Sequence, residues 1–237
     1  MGRLADPATL VLCAMLPKSF PRGARAAWLA EVARGRVPVT WAATVDVLAD
    51  VAAAGGDAAP TMALAIEPAW LDARSTLRRM IVAARQAMPG LETAVLRGPR
   101  PLAHAAVLAE EGIRVVVADA LDEARRGSRR PAPAGWRCRN SVWGLWEVQA
   151  EPQRRAGLVR MLLHGSMPRP RPGSLHVLQA GRVPAERPVS GRLDRWMAWA
   201  ERRIVGGRVR MATPDALPDL VARGGQPPIS GSVLKAA

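Results

Sequence analysis

The amino-acid sequence predicts an α/β fold, a single irregular barrel of seven or eight parallel strands, each followed by a helix or a long loop. Segment 91–119 shows this order most completely, with a strand pattern, turn residues, a helical pattern and a second strand. That second strand, IRVVVA, has almost no polar residues, as expected of a parallel strand buried on both faces. A doubly wound sheet is the competing architecture. The length of 237 residues favours the barrel, because such barrels run from roughly 200 residues upward.

The chain before this segment is predicted to contain three strands and three helices. In chain order they are strand 9–16, helix 23–34, strand 37–43, helix 44–54, strand 61–66 and helix 72–88. Thr44 and Asp72 are predicted N-caps, because their side-chain oxygens can accept hydrogen bonds from free N–H groups at a helix start. Pro89 and Gly90 are predicted to end the third helix.

Within segment 91–119, Gly112 is predicted to end the helix in a left-handed conformation. The rest of the chain is predicted to contain an exposed arginine- and proline-rich loop 122–135, strand material 136–149, helix 153–163, strand 174–178, amphipathic helix 190–205, strand 208–212 and a terminal helix that starts after Thr213. Residues 1–224 are therefore one predicted domain. Residues 225–237 are a predicted flexible tail.

The chain is strongly basic, with a formal net charge of +14 from 34 basic residues. Only Lys18 and Lys235 among these are lysine. The skew towards arginine, with much alanine, proline and glycine, is one that a GC-rich genome produces. The alternative is that the arginines bind a polyanion such as nucleic acid, because a guanidinium group matches phosphate bidentately. The densest candidates for that contact lie in the loop, at Arg125, Arg126, Arg129 and Arg130.

Several classes of protein and site are disfavoured by the sequence. Cys13 and Cys138 form no disulfide framework, so reduced thiols in the cytoplasm are expected. The apolar segment TLVLCAML has only eight residues, too few to span a bilayer, so no membrane partner is expected. The common nucleotide-binding and hydrolase motifs, GxGxxG, the Walker loop and GxSxG, do not occur.

The order of several segments resembles a known family. These segments are VPVTWAA at 37–43, ALAIEPAWLDARSTLRRMI at 63–81, LRGPRP at 96–101, EEGIRVVVAD at 110–119, GSLHVLQAG at 173–181 and RLDRWMAWAERRIVGGRVRMATPDAL at 192–217. Together they resemble the polysaccharide deacetylase (NodB-homology) domain of the glycoside hydrolase and deacetylase barrel superfamily. The resemblance runs from Thr9 to about Arg223. It implies a role in carbohydrate metabolism and, in an active member, hydrolysis of the carbon–nitrogen bond of an N-acetylated sugar.

The residues of the family's metal site are not matched. In that family a divalent metal on one Asp and two His activates water and polarises the acetyl carbonyl. No carboxylate lies near Pro17, where the first strand of the family ends in two aspartates. The two histidine ligands form a His-x-x-x-His motif in the family, and these positions are Glu67 and Leu71 here. The family's catalytic acid is a histidine late in the sequence, which aligns with Gln179, three residues after His176. The sequence thus predicts no metal, no cofactor and a divergent or catalytically degenerate pseudoenzyme.

The predicted ligand site lies at the C-terminal ends of the strands, where parallel α/β folds bind their ligands. The candidate substrate-binding residues are Arg97, Glu67, Asp119, Gln179, Trp70 and Trp143. Arg97 is preferred, because it matches the family's Arg-x-Pro motif and its loop is stiffened by prolines. Simpler interpretations stay open: a structural salt bridge between Arg97 and Asp119, a solvated Glu67, and tryptophans that belong to the core. His104, His164 and His176 are interpreted as surface or packing residues.

Overall fold

A computed structural model describes most of the chain. The described residues are 6–16, 18, 35, 37–54, 60–96, 104–118, 138–141, 143–151, 170–182 and 191–223. The predicted helices 23–34 and 153–163, the loop 122–135 and the tail 225–237 lie outside these residues.

The described residues form nine strands and five α-helices. The strands are β1 Ala8–Met15, β2 Thr40–Ala43, β3 Met62–Ile66, β4 Thr93–Leu96, β5 Val115–Ala118, β6 Cys138–Asn140, β7 Trp146–Gln149, β8 Leu175–Arg182 and β9 Val209–Met211. The helices are α1 Val45–Ala54, α2 Arg74–Ala87, α3 Ala105–Glu110, α4 Gly191–Val205 and α5 Leu217–Arg223. Two short 3-10 helices span Pro68–Asp72 and Pro214–Ala216.

All nine strands belong to one sheet. Its order is β6-β7-β5-β4-β3-β2-β1-β8, and β9 pairs with the first half of β1. β6 runs antiparallel to β7, whereas the other described strands run parallel to their neighbours. The sheet is curled into an open half-barrel, so the predicted α/β class is confirmed, whereas a closed barrel is not. Two residues after β7, the Glu151 N–H donates a backbone hydrogen bond to the Val177 carbonyl of β8 (2.8 Å), a contact between opposite sides of the sheet order.

Strands β1 to β4 are buried on both faces, and β5 is buried except at its last residue. On the outer face, alternate apolar side chains such as Leu10 and Leu64 pack against α1 to α4, with Leu77 and Ile81 of α2 fully buried. The inner face carries a second apolar cluster, which α5 joins through Leu217 and Val221. Each such side chain contributes about 1.5–3 kcal/mol when fully buried. This double burial explains why β5 consists almost wholly of valine.

Four local predictions have different outcomes. Gly112 follows α3 at φ 80°, so the predicted left-handed helix end is confirmed. The two predicted N-caps are wrong: the Thr44 hydroxyl is buried and makes no hydrogen bond to a described residue, and α2 begins after Ala73 instead of Asp72. The predicted strand 136–149 is two strands, because Gly144 at φ 75° allows the chain to reverse between β6 and β7.

Candidate functional site

Three charged side chains follow three neighbouring strands at the carboxyl edge of the sheet, the edge at which the parallel strands end. Lys18 follows β1, Asp46 lies in the first turn of α1 after β2, and Glu67 follows β3. Parallel pairing of β1 with β2 and of β2 with β3 brings these strand ends to the same edge. The sheet topology therefore groups residues that are far apart in sequence.

The Lys18 ammonium connects the two carboxylates. Its Nζ atom lies 3.7 Å from Oε1 of Glu67 and 4.0 Å from Oδ2 of Asp46. The side chain of Glu67 is 32% exposed, whereas those of Lys18 and Asp46 are mostly exposed. Such exposed pairs contribute only about 0–1 kcal/mol to stability. The group thus offers hydrogen-bond acceptors and one cationic donor to a polar ligand in solvent.

The segment after β3 fixes the position of Glu67. Pro68 starts a 3-10 turn, whose first hydrogen bond runs from the Trp70 N–H to the Glu67 carbonyl (3.0 Å). Glu67 itself is in an extended conformation, and the chain turns immediately after it. Trp70 and Leu71 then pack into the outer-face cluster. The turn therefore holds Glu67 between a buried strand and a buried tryptophan.

Trp70 does not present a face for ligand stacking. Only 8% of the residue is exposed, and its indole belongs to the outer-face cluster. The physical reason is the large apolar area of an indole, whose burial outweighs the benefit of a solvent-exposed face. The simpler interpretation of Trp70 as a core residue is the one that the structure supports.

Gln179 lies at a different level of the sheet from Glu67. It pairs in register with Cys13 of β1, which in turn pairs with Thr40, the first residue of β2. Trp41, the residue after Thr40, pairs with Met62 of β3, so the residue level with Gln179 on that side is the one before Met62. Glu67 lies several residues further along, roughly 20 Å in the strand direction at about 3.3 Å per residue. The register therefore does not bring Gln179 to Glu67.

Trp143 lies at the opposite edge of the sheet. It precedes β7 in the turn after β6, so it sits at the amino edge, where the parallel strands begin. It is one of the exposed large apolar residues, with 58% of its surface accessible. Glu67 and Trp143 therefore do not line one site.

The other sequence-predicted site residues lie outside the described part of the chain. These are Arg97, Asp119, Pro17 and the loop arginines Arg125, Arg126, Arg129 and Arg130. Their predicted contacts to a saccharide or a polyanion stay predictions.

Of the two residues that align with the histidine ligands of the deacetylase family, Leu71 cannot bind a metal. Leu71 has no ligating atom and is buried in the outer-face cluster. In the described residues, no three His, Cys, Asp or Glu side chains gather closely enough to hold a metal ion. The Cys13 and Cys138 thiols are buried on the inner face, and burial raises the pKa of each to about 12. Both thiols are therefore protonated, and the thiolate is the form that binds metals and attacks electrophiles.

A second polar group, not predicted as a unit, lies where β8 meets the end of β7. Both ring nitrogens of His176 have a partner: Nε2 is 2.8 Å from Ser174 Oγ, and Nδ1 is 2.5 Å from Glu151 Oε1. The histidine was interpreted as a packed strand residue, and its side chain is indeed only 13% exposed. No local pattern could have indicated Glu151, because the contact depends on the curl of the sheet.

No helix in the described ranges has the length and apolar character needed to cross a membrane.

Comparisons with known proteins give distant likenesses only. No protein-family model and no curated protein sequence matches the chain. One similar solved structure is a 4-alpha-glucanotransferase from Thermococcus litoralis, with a TM-score of 0.49 and 12% identity over 90% of this chain; the match spans 38% of the length of that enzyme. Another is a Bordetella bronchiseptica protein assigned as a polysaccharide deacetylase involved in O-antigen biosynthesis. It gives a TM-score of 0.43 and 13% identity, and the match covers 92% of this chain and 91% of that one.

Proposed function

We propose that this chain is a polysaccharide deacetylase-like protein of carbohydrate metabolism that binds a saccharide at the carboxyl edge of its sheet. One observation carries the proposal: Lys18, Asp46 and Glu67 follow three adjacent parallel strands, and the Lys18 ammonium lies within ion-pair distance of both carboxylates. The carboxyl edge is where parallel α/β folds bind their ligands. The order of sequence segments, which resembles that of the deacetylase family, supplies the ligand class.

The three side chains suit the polar groups of a sugar. A carboxylate accepts hydrogen bonds from sugar hydroxyl groups, and an ammonium donates up to three. Glu67 is the best-positioned acceptor, because its backbone is fixed by the following turn and its side chain is only partly exposed. Hydrogen bonds to charged groups contribute about 1.5–3 kcal/mol each, enough to orient a sugar ring.

Binding without deacetylation is the activity we propose for this edge. The family reaction depends on a metal, and Leu71 stands at one ligand position as a buried apolar residue. Glu67, at the other histidine position, already lies within ion-pair distance of Lys18. The chain is therefore proposed to be a catalytically degenerate member that retains recognition of the carbohydrate.

A panel of neutral, N-acetylated and de-N-acetylated oligosaccharides tests the ligand class by isothermal titration calorimetry. We expect binding to at least one saccharide, with an affinity that changes little between low and high salt. Absence of binding across the panel by the folded protein would overturn the proposal.

A second candidate function rests on the net charge of +14. In this alternative, Arg125, Arg126, Arg129 and Arg130 bind a polyanion such as nucleic acid. The same titration with a duplex DNA probe separates the two functions. Binding to a polyanion releases its condensed counterions, and this release is less favourable at high salt, so the affinity for DNA should fall steeply as the salt concentration rises. Tight, salt-sensitive DNA binding without saccharide binding would favour this alternative.

A further inference from the structure

The polar group formed by Ser174, His176 and Glu151 is built by a turn and by a contact between strands. Ser174 immediately precedes β8 and His176 is the second residue of that strand, so the two side chains lie on the same face. Glu151 comes from the chain just after β7, and its N–H donates to the Val177 carbonyl (2.8 Å). That backbone bond places the carboxylate beside the imidazole.

A tight turn fixes the position of the serine. The Ser174 N–H donates to the Arg171 carbonyl (3.0 Å), which closes a four-residue turn. Pro172 and Gly173 are its central residues, and Gly173 has φ 70°, the pattern of a type II turn. The Gly173 N–H donates to the Asp6 carbonyl (2.9 Å), which ties the turn to the segment before β1. The hydroxyl is thus presented by a constrained backbone.

The hydrogen bonds follow the order hydroxyl, imidazole, carboxylate. Ser174 Oγ lies 2.8 Å from His176 Nε2, and His176 Nδ1 lies 2.5 Å from Glu151 Oε1. When Nδ1–H donates to the carboxylate, the lone pair of Nε2 faces the serine hydroxyl. These distances are those of a nucleophile, its general base and the group that orients the base.

The serine hydroxyl has a second acceptor within reach. The Arg171 carbonyl lies 2.6 Å from Ser174 Oγ. A hydroxyl has one hydrogen, so rotation about the Cβ–Oγ bond directs it either to that carbonyl or to Nε2 of His176. Only the second orientation prepares the oxygen for attack. Ser174 is partly buried, and 32% of the Glu151 side chain is exposed, so water reaches the group.

We propose that Ser174 is a nucleophile for the hydrolysis of short-chain O-acyl esters, with His176 as its base and Glu151 as a positioning residue. Ser174 Oγ forms a bond to the acyl carbon while its proton moves to His176 Nε2. The carbon–oxygen bond to the alcohol then breaks, and the alcohol leaves with that proton. Water attacks the acyl-serine and gives a proton to His176, which returns it to Ser174 as the carboxylic acid departs. The net reaction converts one ester and one water into an alcohol and an acid.

A fluorophosphonate probe tests the nucleophile on the full-length chain. We expect stoichiometric labelling, with the mass increase located at Ser174 by peptide mass spectrometry. Ser174→Ala should lose the labelling and the hydrolysis of p-nitrophenyl acetate, whereas Ser75→Ala, an exposed serine on α2, should keep both. A folded wild-type protein that is not labelled, or a Ser174→Ala variant labelled as well as the wild type, would overturn the proposal.

Glu151→Gln tests the positioning role separately from stability. We expect kcat for the ester to fall on the order of 10³–10⁴-fold with little change in KM, because the imidazole loses the partner that sets its tautomer. A merely structural contact between β7 and β8 would instead lower the midpoint of thermal unfolding and leave kcat of the folded protein unchanged. That second result would contradict the role of Glu151. The proposal does not depend on saccharide binding at the carboxyl edge, and each can fail without the other.

Discussion

The ammonium of Lys18 lies 3.7 Å from the carboxylate of Glu67, although β2 separates the strands that these residues follow. Lys18 also lies 4.0 Å from Asp46, which follows β2 itself. The lysine thus spans three strand ends and reduces the repulsion between two carboxylates. This arrangement makes the carboxyl edge a polar surface with both signs of charge.

Lys18→Met should affect ligand binding more than stability. Its side chain is exposed, so we expect the free energy of unfolding in urea to change by less than about 1 kcal/mol. Saccharide affinity should weaken, because the cationic donor is lost and no longer offsets the charge of the two carboxylates. A loss of several kcal/mol in stability would show that Lys18 has a structural role instead.

Gly112→Ala should destabilise the protein. Gly112 adopts φ 80°, and a Cβ atom there would lie 2.1 Å from Nη1 of Arg85, whose guanidinium donates to the Glu111 carbonyl (2.7 Å). The left-handed conformation alone costs about 1–2 kcal/mol for a residue with a Cβ, and displacement of Arg85 adds to this. Gly90→Ala is the matched control, because nothing lies within 4 Å of its Cβ position and its φ is not positive. Equal stability of the two variants in urea would contradict the prediction.

The cysteines should make the protein less stable at alkaline pH. Burial raises the pKa of Cys13 and Cys138 from 9.0 to about 12 in the folded state. Above pH 9 the unfolded chain loses these protons while the folded chain keeps them, so the unfolded state gains stability as the pH rises towards 12. The chain has no tyrosine, which removes another group that titrates there.

Unfolding in urea at pH 8, 9 and 10 measures this effect. We expect the free energy of unfolding to fall over that range, and to fall less in the double variant Cys13→Ala, Cys138→Ala. Ellman's reagent at pH 8 supplies a second readout, since the native thiols should react far more slowly than those of the unfolded chain. Rapid reaction of the native protein would contradict the burial of both thiols.

Trp143→Ala should leave both stability and saccharide binding nearly unchanged. The side chain is exposed and lies at the amino edge, opposite Glu67. Surface substitutions of this kind usually change stability by less than about 0.5 kcal/mol. Calorimetric titration of the variant checks the location of the site. Loss of saccharide binding in the folded variant would move the proposed site to the amino edge.

The repeating units of the fold are predictable from local sequence. IRVVVA predicts β5 because a strand buried on both faces needs no polar alternation, and Gly112 predicts the end of α3 because it tolerates a positive φ. The division of 136–149 into β6 and β7 is not predicted, since a strand-like composition does not by itself reveal the reversal at Gly144. Patterns of this kind give the identity of elements better than their boundaries.

The arrangement of polar residues is much less predictable. Glu67 could be placed at a strand end from sequence, but its proximity to Lys18 depends on the register of three strands. Gln179 was predicted at the same site, and the register places it level with Cys13 instead. The contact between Glu151 and His176 depends on how far the sheet curls. These are tertiary relationships, and no single segment encodes them.

The most direct test of the proposed function compares the saccharide affinity of the wild type with that of Glu67→Gln. The matched control is Glu92→Gln, because Glu92 precedes β4 at the opposite edge and also forms an exposed ion pair, at 3.3 Å from Arg114. We predict that Glu67→Gln raises the Kd of the best saccharide at least about 10-fold, since a hydrogen bond to a charged group contributes about 1.5–3 kcal/mol. Glu92→Gln should bind as the wild type does. Equal Kd values for all three folded proteins would contradict a saccharide site at the carboxyl edge.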